Sequence, residues 1–176
     1  DNKLALQKRL GLTADGGIPL LGVVSRLTHQ KGLDLLPEIA ARLVEHPAQL
    51  AVLGSGEREL ENAFRKLALR YPGRAGCVIG YDEALAHWIE AGADIFVMPS
   101  RYEPCGLNQM YSMRYGTVPV ARATGGLADT VIDCDDGTLA NGSATGFLFR
   151  EPAALALLAA IRRALEAWSN QATWRQ

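Results

Sequence analysis

Along these 176 residues, short apolar runs recur at 20–25, 50–54, 75–79, 94–98, 117–121 and 146–149, with stretches of helical period between them. No other feature restricts the fold as strongly. Most of the runs are apolar throughout and lack polar alternation, as parallel strands do when helices cover both faces of their sheet. The intervening segments 33–44, 57–71, 83–91 and 107–115 are predicted helices. Leu155, Leu158, Ile161, Leu165 and Trp168 mark a final amphipathic helix, and residues 4–11 a short one leading in. With Asp34 as N-cap, Pro37 falls in the first turn, where its missing N–H has no intrahelical partner to lose.

Repeated β-α units with right-handed crossovers imply an α/β fold: a doubly wound, parallel, six-stranded Rossmann-like sheet ordered 3-2-1-4-5-6, in a single domain over 1–176. Ligands of such sheets bind beyond the carboxyl ends, where strands 1 and 4 adjoin and their loops diverge. Composition narrows what can bind there. Lys plus Arg total 18 against 19 Asp plus Glu, so no broad field attracts nucleic acid or an anionic membrane, and any anion site has to be local. No apolar run reaches the ~18 residues needed to span a bilayer, and the start lacks the basic-then-apolar order of a signal peptide. Cys77, Cys105 and Cys134 show no C-x-x-C spacing, which disfavours a disulfide framework or zinc site and favours a reducing compartment. His29, His46 and His87 are scattered, Asp135-Asp136 reads as an exposed turn, and no metal constellation emerges.

The loop after strand 1 carries Arg26 and Lys31 five residues apart, just before a helix. A guanidinium fork, an ammonium and a helix N-terminus together suit a diphosphate. The same pair alone would read as a solvated basic turn; its place at the switch point favours the anion. After strand 4, Glu103 is flanked by Pro104 and followed by Cys105 and Gly106, and a helix from Leu107 directs free amides toward the same space. Glu103 reads either as an acceptor for sugar hydroxyls or as a helix-terminal charge pairing with Arg101 or Arg26. Cys105 has no His nearby in sequence, so a small residue with a ligand-facing backbone is favoured over a nucleophile. Thr124, Gly125 and Gly126 after strand 5 place further amides before a helix. Gly80 and Tyr81 follow strand 3, where Tyr81 either stacks on a nucleobase or packs over the sheet edge. Glycine alone is weak evidence, since turns also use it. The chain has no G-x-G-x-x-G after strand 1, no Walker motif and no G-x-S-x-G elbow, which counts against dinucleotide oxidoreductases, P-loop NTPases and α/β-hydrolases.

Four strings, Ser25-Arg26-Leu27-Thr28-His29-Gln30-Lys31-Gly32-Leu33-Asp34, Pro99-Ser100-Arg101-Tyr102-Glu103-Pro104-Cys105-Gly106-Leu107, Tyr115-Gly116-Thr117-Val118-Pro119 and Thr124-Gly125-Gly126-Leu127-Ala128-Asp129-Thr130-Val131, closely resemble the C-terminal domain of bacterial glycogen synthases and plant starch synthases. The resemblance is ordered and covers essentially the whole chain. It implies the C-terminal, nucleotide-sugar-binding half of a GT-B glycosyltransferase, two Rossmann-like domains across a cleft, with the N-terminal acceptor domain absent from this sequence. The start at Asp1 without Met fits a piece of a longer protein. The family transfers glucose from ADP-glucose, a substrate and not a cofactor, to the nonreducing end of an α-1,4-glucan, with retention and without a metal. The expected partners are therefore ADP-glucose or ADP, and a glucan held through the missing domain; no nucleic acid or membrane is expected.

Carried over by position, Arg26 and Lys31 match the cations on the donor diphosphate, Glu103 the acid on the donor glucose, and Cys105 and Gly106 neighbours of the sugar. Leu107 and Asn108 match the amides offered to phosphate, and Gly80 and Tyr81 the adenine contact region. The family often has Thr at the position of Asn108, a change an amide contact survives. Related transferases carry a second Glu eight residues after the first. That position here is Tyr111, which resembles the starch and glycogen branch over UDP-sugar and GDP-sugar relatives. The expected location is the cytoplasm in a bacterium or the plastid in a plant.

Overall fold

In the computed structural model, which describes residues 2–176, β1 (Leu20–Val24) runs through the middle of the sheet, between β2 (Gln49–Gly54) and β4 (Ile95–Met98). Beyond β2 lies β3 (Ala75–Ile79), and beyond β4 lie β5 (Val118–Arg122) and β6 (Phe147–Phe149). Every pairing is parallel and the order is β3-β2-β1-β4-β5-β6, as the alternation predicts. Strand limits differ from the predicted ones by a residue or less at each end.

The sheet is doubly covered because its central strands are apolar on both faces. From β1, Leu21 and Val23 enter one core with Leu36 and Ile39 of α2 (Leu35–Leu43), Phe64 of α3 (Arg58–Arg70) and Leu157 and Ile161 of α8 (Ala154–Ser169). Leu20 enters the other, with Leu6 of α1 (Asn2–Arg9), Leu85 and Ile89 of α4 (Glu83–Gly92) and Phe96 of β4. Gly22 marks how tightly α4 lies on β1: a Cβ there would stand 2.7 Å from Ile89 Cγ2 and 3.0 Å from the Ala93 methyl. Two buried glutamines fix the opening helix beneath the sheet. Gln7 donates to Gln49 at 2.7 Å and to the Asp15 carbonyl at 2.8 Å, and Gln49 donates to the Thr13 carbonyl at 2.7 Å. These bonds satisfy polar groups that burial would otherwise strand.

The remaining helices are α5 (Asn108–Tyr115), α6 (Gly125–Thr130), α7 (Asp136–Ala140) and α9 (Gln171–Trp174). Asp135-Asp136 is exposed, as read from sequence, but it begins a short helix where a turn was expected. Asp135 caps α7 by accepting from the Thr138 amide at 2.8 Å, while Thr138 Oγ1 accepts from the Asp135 amide at 2.9 Å. This capping box is visible as Asp-x-x-Thr, the usual spacing with other residue types. Helix α2 starts two residues later than predicted, because a short 3-10 turn over His29–Lys31 ends at Gly32, whose φ of 67° breaks the path. Among the described residues no helix is long and apolar enough to cross a membrane.

Core and surface make a contrast that denaturant unfolding reads directly. Phe96 is fully buried and Leu69 is 82% exposed. Phe96→Ala is expected to cost about 3–5 kcal/mol, and Leu69→Ala to stay within about 0.5 kcal/mol.

Candidate functional site

The loops that leave β1 and β4 at their carboxyl ends touch through the backbone. Gly32 lies so close to Pro99 that a Cβ would come within 2.0 Å of the Pro99 carbonyl oxygen. Two residues further on, the Arg101 amide donates to the Gln30 carbonyl at 2.9 Å. The Arg101 guanidinium donates to the His29 carbonyl at 2.7 Å and grips both oxygens of Asp34 at 2.6 and 2.8 Å. Asp34 is thereby taken away from the α2 N-terminus, which has no side-chain cap. Burial pushes the Asp34 carboxyl up, but the hydrogen bond from Arg101 and the fields of Arg101 and His29 outweigh it and hold the group below its ordinary 3.8. Arg101 is raised in turn, chiefly by its hydrogen bond to Asp34.

This joint brings Lys31 against Glu103. The Lys31 ammonium donates to Glu103 Oε2, and Ser100 Oγ donates to the same oxygen at 3.3 Å. Neither partner weighed from sequence is used: Arg101 is committed to Asp34, and Arg26 has no part in the pair. Glu103 is 8% exposed, so a carboxylate in this place is supported by its cation and hydroxyl. Arg26 is exposed and lines the same cleft of about 200 Å³ as Lys31, Ser100, Glu103, Gly106 and Asn108. Leu107 also borders it, and the first turn of α5, which has no side-chain cap, starts at this wall. Gly106 has a φ of 67° that other residues rarely adopt. Asn108 uses its amide side chain to donate to the Val24 carbonyl at 3.2 Å, tying α5 to the end of β1. Cations, an acid and helix-terminal amides thus converge on one opening at the topological switch point.

The third loop serves the second from beneath. A Cβ on Gly125 would stand 2.1 Å from the Glu103 carbonyl oxygen, and one on Gly126 1.8 Å from that of Cys105. The Gly126 amide donates to the Glu103 carbonyl at 3.1 Å, so it is engaged within the protein and not directed at the cleft. Thr124, Gly125 and Gly126 accordingly lie outside the cleft wall, as does the exposed Cys105. Gly80 and Tyr81 stand at the end of β3, two strands away from β1, and Tyr81 is 88% exposed. That exposure removes the packed-edge reading of Tyr81. Two residues whose part the sequence reading does not give also organise the site. One is Arg101; the other is Gln109, buried, whose amide donates to the Gly106 carbonyl at 3.0 Å and to Thr130 Oγ1 at 3.1 Å. An acid and a base on the two loops that flank a switch point were the available signal for Arg101; nothing in the sequence marked Gln109. A larger hollow of about 380 Å³ lies at the opposite end of the sheet, near Thr117, Phe147 and Trp174, and has no such convergence of opposite charges. Size alone does not make a site.

The family described as Glycosyl transferases group 1 matches residues 8–176. A glycogen synthase of Nitrosospira multiformis is 56% identical over 173 residues, covering 98% of this chain and 35% of that protein. One from Dechloromonas aromatica is 55% identical over 175 residues, covering 99% and 36%. The chain thus spans about a third of the length of the curated relatives it matches. Among solved structures, the catalytic domain of starch synthase IV from Arabidopsis thaliana, bound to ADP and acarbose, superimposes with a TM-score of 0.89 at 38% identity, over 98% of this chain and 36% of that one. Sucrose-phosphate synthase from Thermosynechococcus elongatus gives 0.70 at 28%, over 96% and 40%.

Two outcomes follow from the environments around the site. Burial pushes the Cys77 thiol up to about 11 and also raises Cys134, whereas Cys105 is exposed. Iodoacetamide at neutral pH, read by peptide mass spectrometry, should label Cys105 first and Cys77 last. For Asp34, a folded-state pKa below the unfolded one means that its contribution is complete above the unfolded value and is lost as pH falls through the folded value. Asp34→Asn should therefore lower stability by about 1–2 kcal/mol at neutral pH. In urea titrations the gap to the unaltered chain should stay level from about pH 5 to 8 and close below about pH 4.

Proposed function

The chain belongs to the group 1 glycosyl transferases, and on that premise we propose that it is the donor-binding, C-terminal domain of a retaining, ADP-glucose-dependent glycogen or starch synthase. The α-1,4-glucan acceptor would be held by a further domain outside these 176 residues. The observation that carries this reading is the convergence of Arg26, Lys31 and Glu103 on one cleft at the ends of β1 and β4. The likeness to glycogen synthases at more than half identity supports the choice of reaction. That the starch synthase IV structure holds ADP supports the choice of nucleotide.

The chemistry assigned to each residue follows from where charge develops. Breaking the bond between glucose C1 and the diphosphate leaves negative charge on the departing ADP. Cations already aimed at those oxygens stabilise that charge more than they stabilise the intact donor, and this difference accelerates the reaction. Arg26 offers a planar fork and Lys31 a point charge. The uncapped amides at the start of α5 add partial positive charge on the same side. Glu103 takes hydroxyls of the glucose as hydrogen-bond donors, which orients the sugar relative to its leaving group. Because Lys31 touches Glu103, a donor whose diphosphate and sugar adjoin engages both ends of the pair at once. Gly106 keeps the wall beside Glu103 free of a side chain. Gly125 and Gly126 contribute by shaping the 103–105 backbone, with Thr124 just before them at the start of α6, and Gly80 and Tyr81 are assigned to the adenine.

Calorimetry with ADP tests the assignment. Lys31→Ala and Arg26→Ala should each weaken binding about tenfold or more, equivalent to about 1.4 kcal/mol, and UDP should compete less well than ADP. Unchanged affinity in both variants would remove the diphosphate site. The 176 residues by themselves are expected to bind ADP yet to elongate no glucan, since a water-excluding cleft needs its second wall; elongation by this chain alone contradicts the division of labour.

A further inference from the structure

We infer that Arg101 is a positioning residue for Lys31: its side chain sets where the β1 loop presents that ammonium, without itself meeting the donor. The inference rests on the donor-site reading above and adds a residue to it. Arg101 does not line the cleft, so any effect on a bound diphosphate has to pass through another group.

Its bonds bracket Lys31. On the N-terminal side it holds the carbonyls of His29 and Gln30, the first through its guanidinium and the second through its own amide. On the C-terminal side it holds both oxygens of Asp34. Between these anchors the chain makes a single 3-10 turn, in which the Lys31 amide donates to the Thr28 carbonyl at 3.1 Å and the Gly32 amide to the His29 carbonyl at 3.0 Å. A turn this short has poor hydrogen-bond geometry of its own. Its external anchors decide its conformation. The His29 carbonyl is shared between the turn and the guanidinium, so loosening one loosens the other. Arg101 also stands two residues before Glu103 in the β4 loop, so one side chain relates the backbone of the cation to that of the acid.

A lysine cannot replace this arrangement. Its ammonium can reach the Asp34 carboxylate or the His29 carbonyl, but it lacks the planar fork that takes both carboxylate oxygens and the carbonyl together. Arg101→Lys is therefore informative: it conserves the positive charge near the donor and the amide bond to Gln30, and removes only the geometry. Weakened binding in that variant cannot come from a lost long-range attraction.

The experiment is a double-mutant cycle on ADP affinity in the 176-residue chain, titrated by NMR to millimolar ADP so that weakened variants stay measurable. Arg101→Lys, and independently Asp34→Asn, should weaken ADP binding about tenfold in the otherwise unaltered chain and less than twofold when Lys31→Ala is already present. Far-UV circular dichroism and melting temperature verify that each variant is folded. If Arg101→Lys does not fold, the Asp34→Asn arm closes the same cycle from the other side of the clamp. Equal weakening with and without Lys31 means that the clamp acts by some route other than Lys31 and overturns the inference. No weakening by Arg101→Lys or Asp34→Asn, with Lys31→Ala still damaging, overturns it while leaving the donor site intact. No effect of Lys31→Ala in the parent chain instead removes the donor-site reading and the inference with it.

Discussion

The bidentate grip of Arg101 on Asp34 is the contact on which the site depends. Parallel strands deliver their loops to the same edge of the sheet, but delivery alone does not fix one loop against the other. The clamp, the Gly32 approach to Pro99 and the amide bond from Arg101 to Gln30 do so together. Two oppositely charged side chains, each about a quarter exposed, can do this because partial burial strengthens their attraction without the full cost of drying an ion.

With the loops joined, the electrostatics of the cleft become a local matter. The chain is close to neutral, so attraction for a diphosphate cannot come from the protein as a whole. In the proposed donor site it would come from Arg26, Lys31 and the amides of α5 acting over a few ångströms, where the low-dielectric wall of β1 and β4 screens them less than water would. Glu103 belongs to the same arrangement. Its contact with Lys31 pairs a nearly buried carboxylate with a cation and sets a hydrogen-bond acceptor beside a donor at the same opening. The glycines of the β5 loop are part of this support. Gly125 and Gly126 let the backbone pass under residues 103–105 at distances no side chain would permit.

How much of this could be read beforehand varied with the kind of signal. Strands and helices were legible because burial on two faces writes long apolar runs, and the order of the sheet followed from the handedness of the crossovers. Arg26, Lys31 and Glu103 were legible as residues at the switch point. Their partners were not. Where Glu103 reads from sequence as a charge partner, the candidates are Arg101 and Arg26, whereas the structure pairs it with Lys31; Asp34 does stand at the N-cap of α2, but its side chain is half of the clamp and caps nothing. Pairing across 67 or 72 residues depends on side-chain reach after the loops have packed, which leaves no periodic trace. The small helix capped by Asp135 was missed for the opposite reason: its signal was local but short, and a run of polar residues reads equally well as a turn.

The amino-acid order alone determined that these residues form a parallel sheet with β1 at its centre and two charged loops at one edge, because periodicity and crossover handedness act at short range and admit few alternatives. Tertiary structure decided which charge meets which. Gln109 was chosen to hold the Gly106 carbonyl, Gly126 gave its amide to Glu103, and Arg101 went to Asp34. Those choices are set by distances of a few tenths of an ångström, and only the packed chain contains them.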